Sequence, residues 1–522
     1  MHRPTAALLA LSLLTPSVFG SIWPLPRSFS NGTSFLQLAP DFSFAVDVDS
    51  APDDLYAAVD RTQDAIRTAL IERLTVGRGS LDQDAIGGAP MLSSVALQLS
   101  ADAIVRPIAE EAVQALGNRS ESYSLYVPDD GSEAVISANS TLGLLRGLTS
   151  FEQLWYTLGN VTYTNIAPVT IENDAPAYPY RGFMLDTARN YFSVNDIKRT
   201  LTAMSFVKMS MFHWHIVDSQ SFPLIVDDFP ELAQTGAYSS DKVYTPDNVQ
   251  DIVSYAAQAH VYQEIDMPGH TDIVGLAHPE YVACSQSAPW GTYAAEPPAG
   301  QLRFTSSEVA DFASALVSSV AGTLSSPYFS TGGDEDEQFQ QELNATGATF
   351  DSALDTFIGQ VHGSLVEIGK TPVEMVLDQN VTLSNDTIVI VWVAEQNFKI
   401  VHGHRTYFYL DCGAGAWVGN YPYGSSWCDP FKSWQYADQA SLVMGGQQLL
   451  WTEQVGPESL DSTVSAETFW TATQPDGSVL DVNTALPRLH ELRYRLLEKG
   501  VGAKALQPEW CAMRPFLCNL EA

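Results

Sequence analysis

The chain is poor in positive charge, in cysteine and in long apolar runs. Against 61 Asp and Glu stand only 26 Lys and Arg, a formal net charge of −35. Such a surface is repelled by a phosphate backbone and by anionic lipid, so nucleic acid and membrane are excluded as partners. Beyond the N-terminus no stretch reaches the roughly 18 apolar residues that a membrane helix needs. There is no Gly-rich phosphate loop and no Cys-x-x-Cys pair, and the 10 His are scattered. We therefore expect no cofactor and no metal. What is present is the composition of a folded protein: 522 residues, 45% hydrophobic and 11% aromatic, enough for more than one buried core.

The few cysteines number five, an odd count. Cys511 and Cys518 close a short loop around Pro515, Cys412 and Cys428 could close a Gly- and Trp-rich one, and Cys284 is left over. Disulfides imply an oxidising compartment, and the N-terminus agrees. His2 and Arg3 precede an apolar run from Ala6 to Leu14, and small residues follow at Val18-Phe19-Gly20, the pattern of a secretory leader over 1–20. Seven Asn-x-Ser/Thr sequons, at Asn31, Asn118, Asn139, Asn160, Asn344, Asn380 and Asn385, fit a secreted, N-glycosylated protein.

Two rhythms divide the rest. From 21 to 175 strand-like runs (Phe42–Val48, Val95–Leu99, Tyr123–Val127, Ala134–Ser137) mix with helix-like ones at Asp54–Leu74 and Thr141–Leu158, which predicts an α+β domain. The Pro-rich stretch Asn173–Pro179 breaks the chain. From 176 to 522 apolar strands alternate with capped helices. The strands are expected at Arg181–Ala188, Lys208–Asp218, Val261–Met267, Tyr328–Gly332, Thr387–Ala394, Thr406–Asp411 and Leu442–Trp451, with a weak eighth at Val373–Leu377. Ser193 and Thr245 supply helix caps, and Gly369 and Gly500 supply helix stops. That alternation predicts a (β/α)8 TIM barrel behind a smaller α+β domain.

The chemistry-bearing side chains fall at the C-terminal ends of those strands, where a barrel carries its active site. In order they are Arg189, Asp218, Asp266 with His270, Asp334 with Glu335, Trp392, Tyr409 with Asp411, and Trp451 with Glu453. Carboxylates supply acid and base, indole faces stack on pyranose rings, and Arg forks onto neighbouring hydroxyls, so the set points to carbohydrate chemistry. The bland alternatives are a solvated acidic run at Asp334–Glu337, core tryptophans, structural histidines at 213, 215 and 270, and a rim salt bridge at Arg189. Gly332 and Gly333, just before the acids, favour a site, because glycine lets backbone and ligand approach closely.

Five motifs in order, Arg181–Arg189, Phe212–Asp218, Asp266–His270, Gly332–Glu335 and Trp451–Gln454, together with Ile22–Pro26, resemble the secreted fungal β-N-acetylhexosaminidases of glycoside hydrolase family 20 over nearly the whole mature chain. The resemblance implies exo-acting, retaining release of terminal β-linked GlcNAc or GalNAc from an oligosaccharide such as a chitin fragment. It implies substrate assistance, in which the sugar's 2-acetamido oxygen attacks C1 to give an oxazolinium ion. Glu335 would then be the general acid and base, and Asp334 would steer the acetamide. Arg189 and Glu453 match partners of the sugar hydroxyls, Trp392 and Trp451 walls of the acetamido pocket, and Tyr409 and Asp411 groups at its base and at the hydroxyls. Asp218 and His270 match supports of the acid pair. The resemblance allows a homodimer.

The chain also departs from that pattern. Ala259–Glu264 is a short lead into the third strand, and Thr371–Met375 lacks the Trp-Glu of the family's third pocket wall. Asp336–Phe339 replaces a Cys-bearing segment, and Asp461–Glu467 lacks a Trp-Pro-Arg. The competing readings are thus a sugar-binding relative without turnover, or a splice or gene-model variant with a damaged acetamido pocket.

Overall fold

A computed structural model describes residues 22–294, 296–333, 349–376, 382–391, 399–403, 408–412, 443–462, 470–471, 481–515 and 517–518. Asp334, Glu335, Trp392 and Cys428, like residues 1–20 where a leader is expected, lie outside the described residues.

The N-terminal sheet runs in the order β1 (Phe29–Asp47), β2 (Met91–Leu99), β4 (Ala134–Ala138), β3 (Tyr123–Val127), β6 (Val161–Asp174), β5 (Tyr156–Leu158), and β1 also pairs with β6. Helices Asp53–Thr68 and Thr141–Glu152 share a core with the sheet built on Leu55, Val59, Leu97, Ile136, Leu148 and Phe151. The second helix ends six residues before the predicted Leu158. Gly159, at φ 60°, turns the chain there and pairs Tyr156–Leu158 with Val161–Tyr163 as a hairpin. β6 was not foreseen as a strand, because Pro168 sits within it. Pro168 falls where the β1–β6 register shifts, between Ala167↔Ser34 and Val169↔Asn31, a position at which a missing N–H is tolerated.

Helix Thr141–Glu152 is buried on nearly all sides, as a helix between two layers must be. Its Arg146 Nη2 reaches Glu121 at 2.8 Å, and Glu121 also accepts from Arg181 of the barrel at 2.5 Å. Lys208, fully buried on the barrel side, donates to Ser150 Oγ at 2.7 Å and to Tyr123 OH at 2.9 Å. These buried ion pairs and hydrogen bonds tie the sheet domain to the barrel.

The barrel is closed by parallel strands in the cyclic order β7 (Tyr180–Asp186), β8 (Met211–Val217), β9 (His260–Ile265), β12 (Tyr328–Ser330), β13 (Thr371–Val376), β14 (Ile388–Val391), β15 (Lys399–His402), β16 (Val443–Leu450) and back to β7. The short β10 (Val282–Ala283) and β11 (Gln301–Leu302) form a hairpin outside it. Strands buried on both faces explain apolar runs such as Phe183–Leu185 and Ile388–Val391, whereas Met211–Val217 and His260–Ile265 also bury His, Gln and Glu side chains. Ser193 and Asp196 form a complete capping box on helix Val194–Phe206, Thr245 caps Pro246–Tyr255, and Gly369 and Gly500, at φ 78° and 79°, follow helices Phe350–Glu367 and Val482–Glu498. One strand lies elsewhere than predicted. The seventh is Lys399–His402, where buried Ile400 and Val401 pair with both neighbours, whereas Tyr409 makes only a single bridge to Leu449. Among the described residues no helix is long and apolar enough to cross a membrane.

Candidate active site

Arg189 is the centre of the cluster at the C-terminal mouth of the barrel. It follows β7, and its guanidinium is almost wholly buried. Nη1 lies 2.7 Å from Asp218 Oδ2 and 3.6 Å from Asp186 Oδ2, and Nη2 lies 3.2 Å from Glu296 Oε2. The guanidinium carbon stands 4.9 Å over the Trp451 ring, a cation–π contact. Asp186 shapes the turn itself, because its Oδ1 accepts from the N–H groups of Ala188 and Arg189 and its Oδ2 from Thr452 N and Oγ1. The first and last barrel strands are thereby locked together at the rim.

Asp218, just past β8, is fully buried and saturated with donors. Besides Arg189 it accepts from Ser219 N at 2.6 Å, His215 Nε2 at 2.8 Å and His270 Nδ1 at 3.1 Å. Burial alone would raise its pKa, but Arg189 and His270 hold it well below the usual carboxylate range. Burial would likewise lower His270, yet Asp218 first, then Asp266, raise it to about 10. His270 sits in the left-handed region at φ 55°, a local cost that its bond to Asp218 helps offset. Ligand atoms of Asp218, Asp266 and His270 lie within 4.8 Å of one another. Arg189 already supplies the cation beside Asp218, and the His270 ring is bonded to that same carboxylate.

The acids' approach is also set. Gly332 and Gly333 follow β12 with φ of 72° and 114°, and Gly333 N donates to Asp266 Oδ1 at 3.2 Å. A Cβ on Gly332 would stand 1.8 Å from Asp266 Oδ1, and one on Gly333 2.5 Å from Glu374 Oε1. No other residue fits these two positions.

Tyr409 and Trp451 meet at a tilt with ring centroids 6.2 Å apart, and His215 meets Trp451 edge-on at 4.9 Å. Two carboxyl groups complete the pocket. Burial pushes Asp411 up to about 7, and its buried Oδ1 has no hydrogen-bond partner among the described residues. Burial, reinforced by Glu296 and Asp186 and opposed by Arg189, lifts Glu453 to about 9. Arg189 Nε is likewise buried and unbonded among the described residues. Unmet donors and acceptors beside an aromatic wall are complementary to a ligand rich in hydroxyls.

The structure thus brings together Arg189, Asp218, His270, Tyr409, Asp411, Trp451 and Glu453. Glu296 was not foreseen. It comes from the irregular segment between β10 and β11, joins Arg189 across 107 positions of sequence, and carries no periodic signal. Cys511 and Cys518 are bonded, and Cys412 is in a disulfide.

A parallel eight-stranded barrel with this mouth is the framework of an enzyme that handles polyhydroxylated ligands. A family model described as "Glycosyl hydrolase family 20, catalytic domain" matches residues 178–473, and one described as "beta-acetyl hexosaminidase like" matches 22–154. The chain is 32% identical over 457 residues to a "Beta-hexosaminidase" of Arthroderma benhamiae, covering 77% of this chain and 75% of that protein. It is 30% identical to a "Chitooligosaccharidolytic beta-N-acetylglucosaminidase" of Ostrinia furnacalis, covering 99% of this chain and 93% of the relative. The fold is shared with a solved β-N-acetylhexosaminidase of Streptomyces coelicolor, with a TM-score of 0.70 and 21% identity over 94% of this chain and 98% of that one. The chain belongs to glycosyl hydrolase family 20.

Proposed function

We propose that the chain is an exo-acting, retaining β-N-acetylhexosaminidase that releases terminal β-linked GlcNAc or GalNAc from oligosaccharides such as chitin fragments. The observation that carries this is the geometry of the barrel mouth: Arg189, almost wholly buried, is held by Asp218 at 2.7 Å and Glu296 at 3.2 Å and stands over the Trp451 ring, with Tyr409 meeting that ring at a tilt. In this reading Arg189, Glu453 and Asp411 take the hydroxyls of the terminal sugar. Trp451 and Trp392 wall its acetamido group, and Tyr409 lies at the pocket base.

Chemistry follows from the paired acids after Gly333. Asp334 accepts the acetamido N–H and aims the carbonyl oxygen at C1. Glu335 donates its proton to the glycosidic oxygen as the C1–O bond breaks and the oxazolinium forms. Glu335, now a carboxylate, takes a proton from the water that opens that ion, so the anomer is retained. In this reading Asp218 and His270 are the supports of this pair. Because Glu335 must begin protonated, activity is expected to peak at acidic pH. We further propose a leader over 1–20, an N-terminal domain over 21–175, a catalytic domain over 176–522, and secretion with N-glycans.

Hydrolysis of a chromogenic β-GlcNAc glycoside by the full chain tests the reading. Glu335→Gln should lower kcat by roughly 100- to 10,000-fold. A second reading rests on β13, whose Thr371–Val376 carries no tryptophan: saccharide binding by the wild-type chain without turnover would favour a binding protein and reject the enzyme.

A further inference from the structure

We propose that His215 is a positioning residue, an imidazolium strung between Glu264 and Asp218 that fixes the Asp218 carboxylate as the shared anchor of Arg189 and His270. The inference rests on the glycosidase reading of the same mouth and adds a residue pair that reading does not use.

His215 lies near the end of β8 with no solvent exposure. Its two ring nitrogens face two different carboxylates: Nδ1 meets Glu264 Oε1, and Nε2 meets Asp218 Oδ2 at 2.8 Å. Only a doubly protonated ring can donate to both. A neutral ring would set a lone pair against a buried carboxylate. Among the described residues Arg189 and Trp451 also meet the ring. Arg189 Nη1 stands 3.3 Å from Nε2 and is itself held by Asp218 and Asp186, and the Trp451 ring meets the imidazole edge-on. Burial alone would discharge the ring, but Asp218 and Glu264 keep it charged well above the ordinary histidine range.

The far end of the chain of bonds reaches the acids' strand. Glu264 Oε2 accepts from Ser330 Oγ, the last residue of β12, and lies 3.0 Å from His213 Nε2. Ser330, Glu264, His215 and Asp218 therefore link β12, β9 and β8 in one line, ending on the carboxylate that Arg189 and His270 share. Branched apolar side chains would fill a barrel interior at least as stably. What the ionic chain supplies instead is a single orientation for Asp218 and a fixed offset between Arg189 and the Gly332–Gly333 approach.

The test is a double-mutant cycle of His215→Gln and Glu264→Gln in the full chain, with histidine-selective 15N NMR and thermal midpoints. Each single change should lower kcat/KM about 100-fold, the cost of a small misplacement at a reacting centre. The double variant should fall no further than the worse single, because both cut one line. In wild type the signal missing from His215→Gln should show both nitrogens protonated at pH 8, and Glu264→Gln should move its titration to lower pH. A ring neutral at pH 8 overturns the proposal. So do additive losses, or lowered midpoints with kcat/KM of the folded enzyme unchanged. If the wild-type chain hydrolyses no β-GlcNAc glycoside, the function reading fails alone, and the NMR result still decides whether the charged link exists.

Discussion

Arg189 is the residue whose removal the structure prices most fully. Arg189→Met takes the cation from among Asp218 at 2.7 Å, Glu296 at 3.2 Å and Asp186 at 3.6 Å. Stripping one partner from a buried pair costs about 3–5 kcal/mol. The pH dependence has a definite sign. Asp218 has a depressed folded-state pKa, so its contribution is present above the unfolded value of about 3.9 and is lost as pH falls through the folded one. The destabilisation by Met should therefore be full at pH 7 and shrink below about pH 4. Arg189→Lys separates charge from geometry: it keeps a cation but loses the planar fork. Loss of one charge-assisted hydrogen bond, about 1.5–3 kcal/mol, predicts a fall in kcat/KM of roughly 10- to 150-fold. Steady-state kinetics on a chromogenic β-GlcNAc glycoside and denaturant unfolding at pH 7 and 3.5 measure both. Wild-type kinetics for Lys, or wild-type stability at pH 7 for Met, would refute the reasoning.

Two further substitutions probe the surroundings. Gly332→Ala places a Cβ 1.8 Å from Asp266 Oδ1 and 2.9 Å from Asp266 Cα at φ 72°. Left-handed strain of about 1–2 kcal/mol and overpacking of about 1–3 kcal/mol should destabilise the fold by about 2–5 kcal/mol and abolish turnover; a wild-type unfolding midpoint contradicts this. His270 has its folded pKa raised to about 10, so its contribution is complete below about 6.5 and disappears as pH rises through about 10. The difference in unfolding free energy between wild type and His270→Gln should thus narrow between pH 6 and pH 10, and a constant difference would dismiss the Asp218–His270 pair as its source.

Much of this architecture was legible in the chain. Alternating strands and capped helices announced the barrel, because strands buried on both faces are rich in apolar residues and helix ends must satisfy their own N–H groups. Arg189, Asp218, His270 and Trp451 were legible as strand-end residues, since a barrel gathers its strand ends at one mouth. What stayed hidden depends on contacts distant in sequence. Glu296 meets Arg189 from an irregular segment, and Glu264 with His215 reads as ordinary strand interior until the barrel closes around them. The same holds for β15. Ile400 and Val401 form too short an apolar run to stand out, and their two neighbouring strands make them a strand.

The most direct measurement is proton NMR of chitobiose during hydrolysis by the full chain. Substrate-assisted catalysis predicts that the β-anomer of the newly released terminal GlcNAc appears first and then mutarotates. Initial appearance of the α-anomer, or intact chitobiose after prolonged incubation at acidic pH, would contradict it.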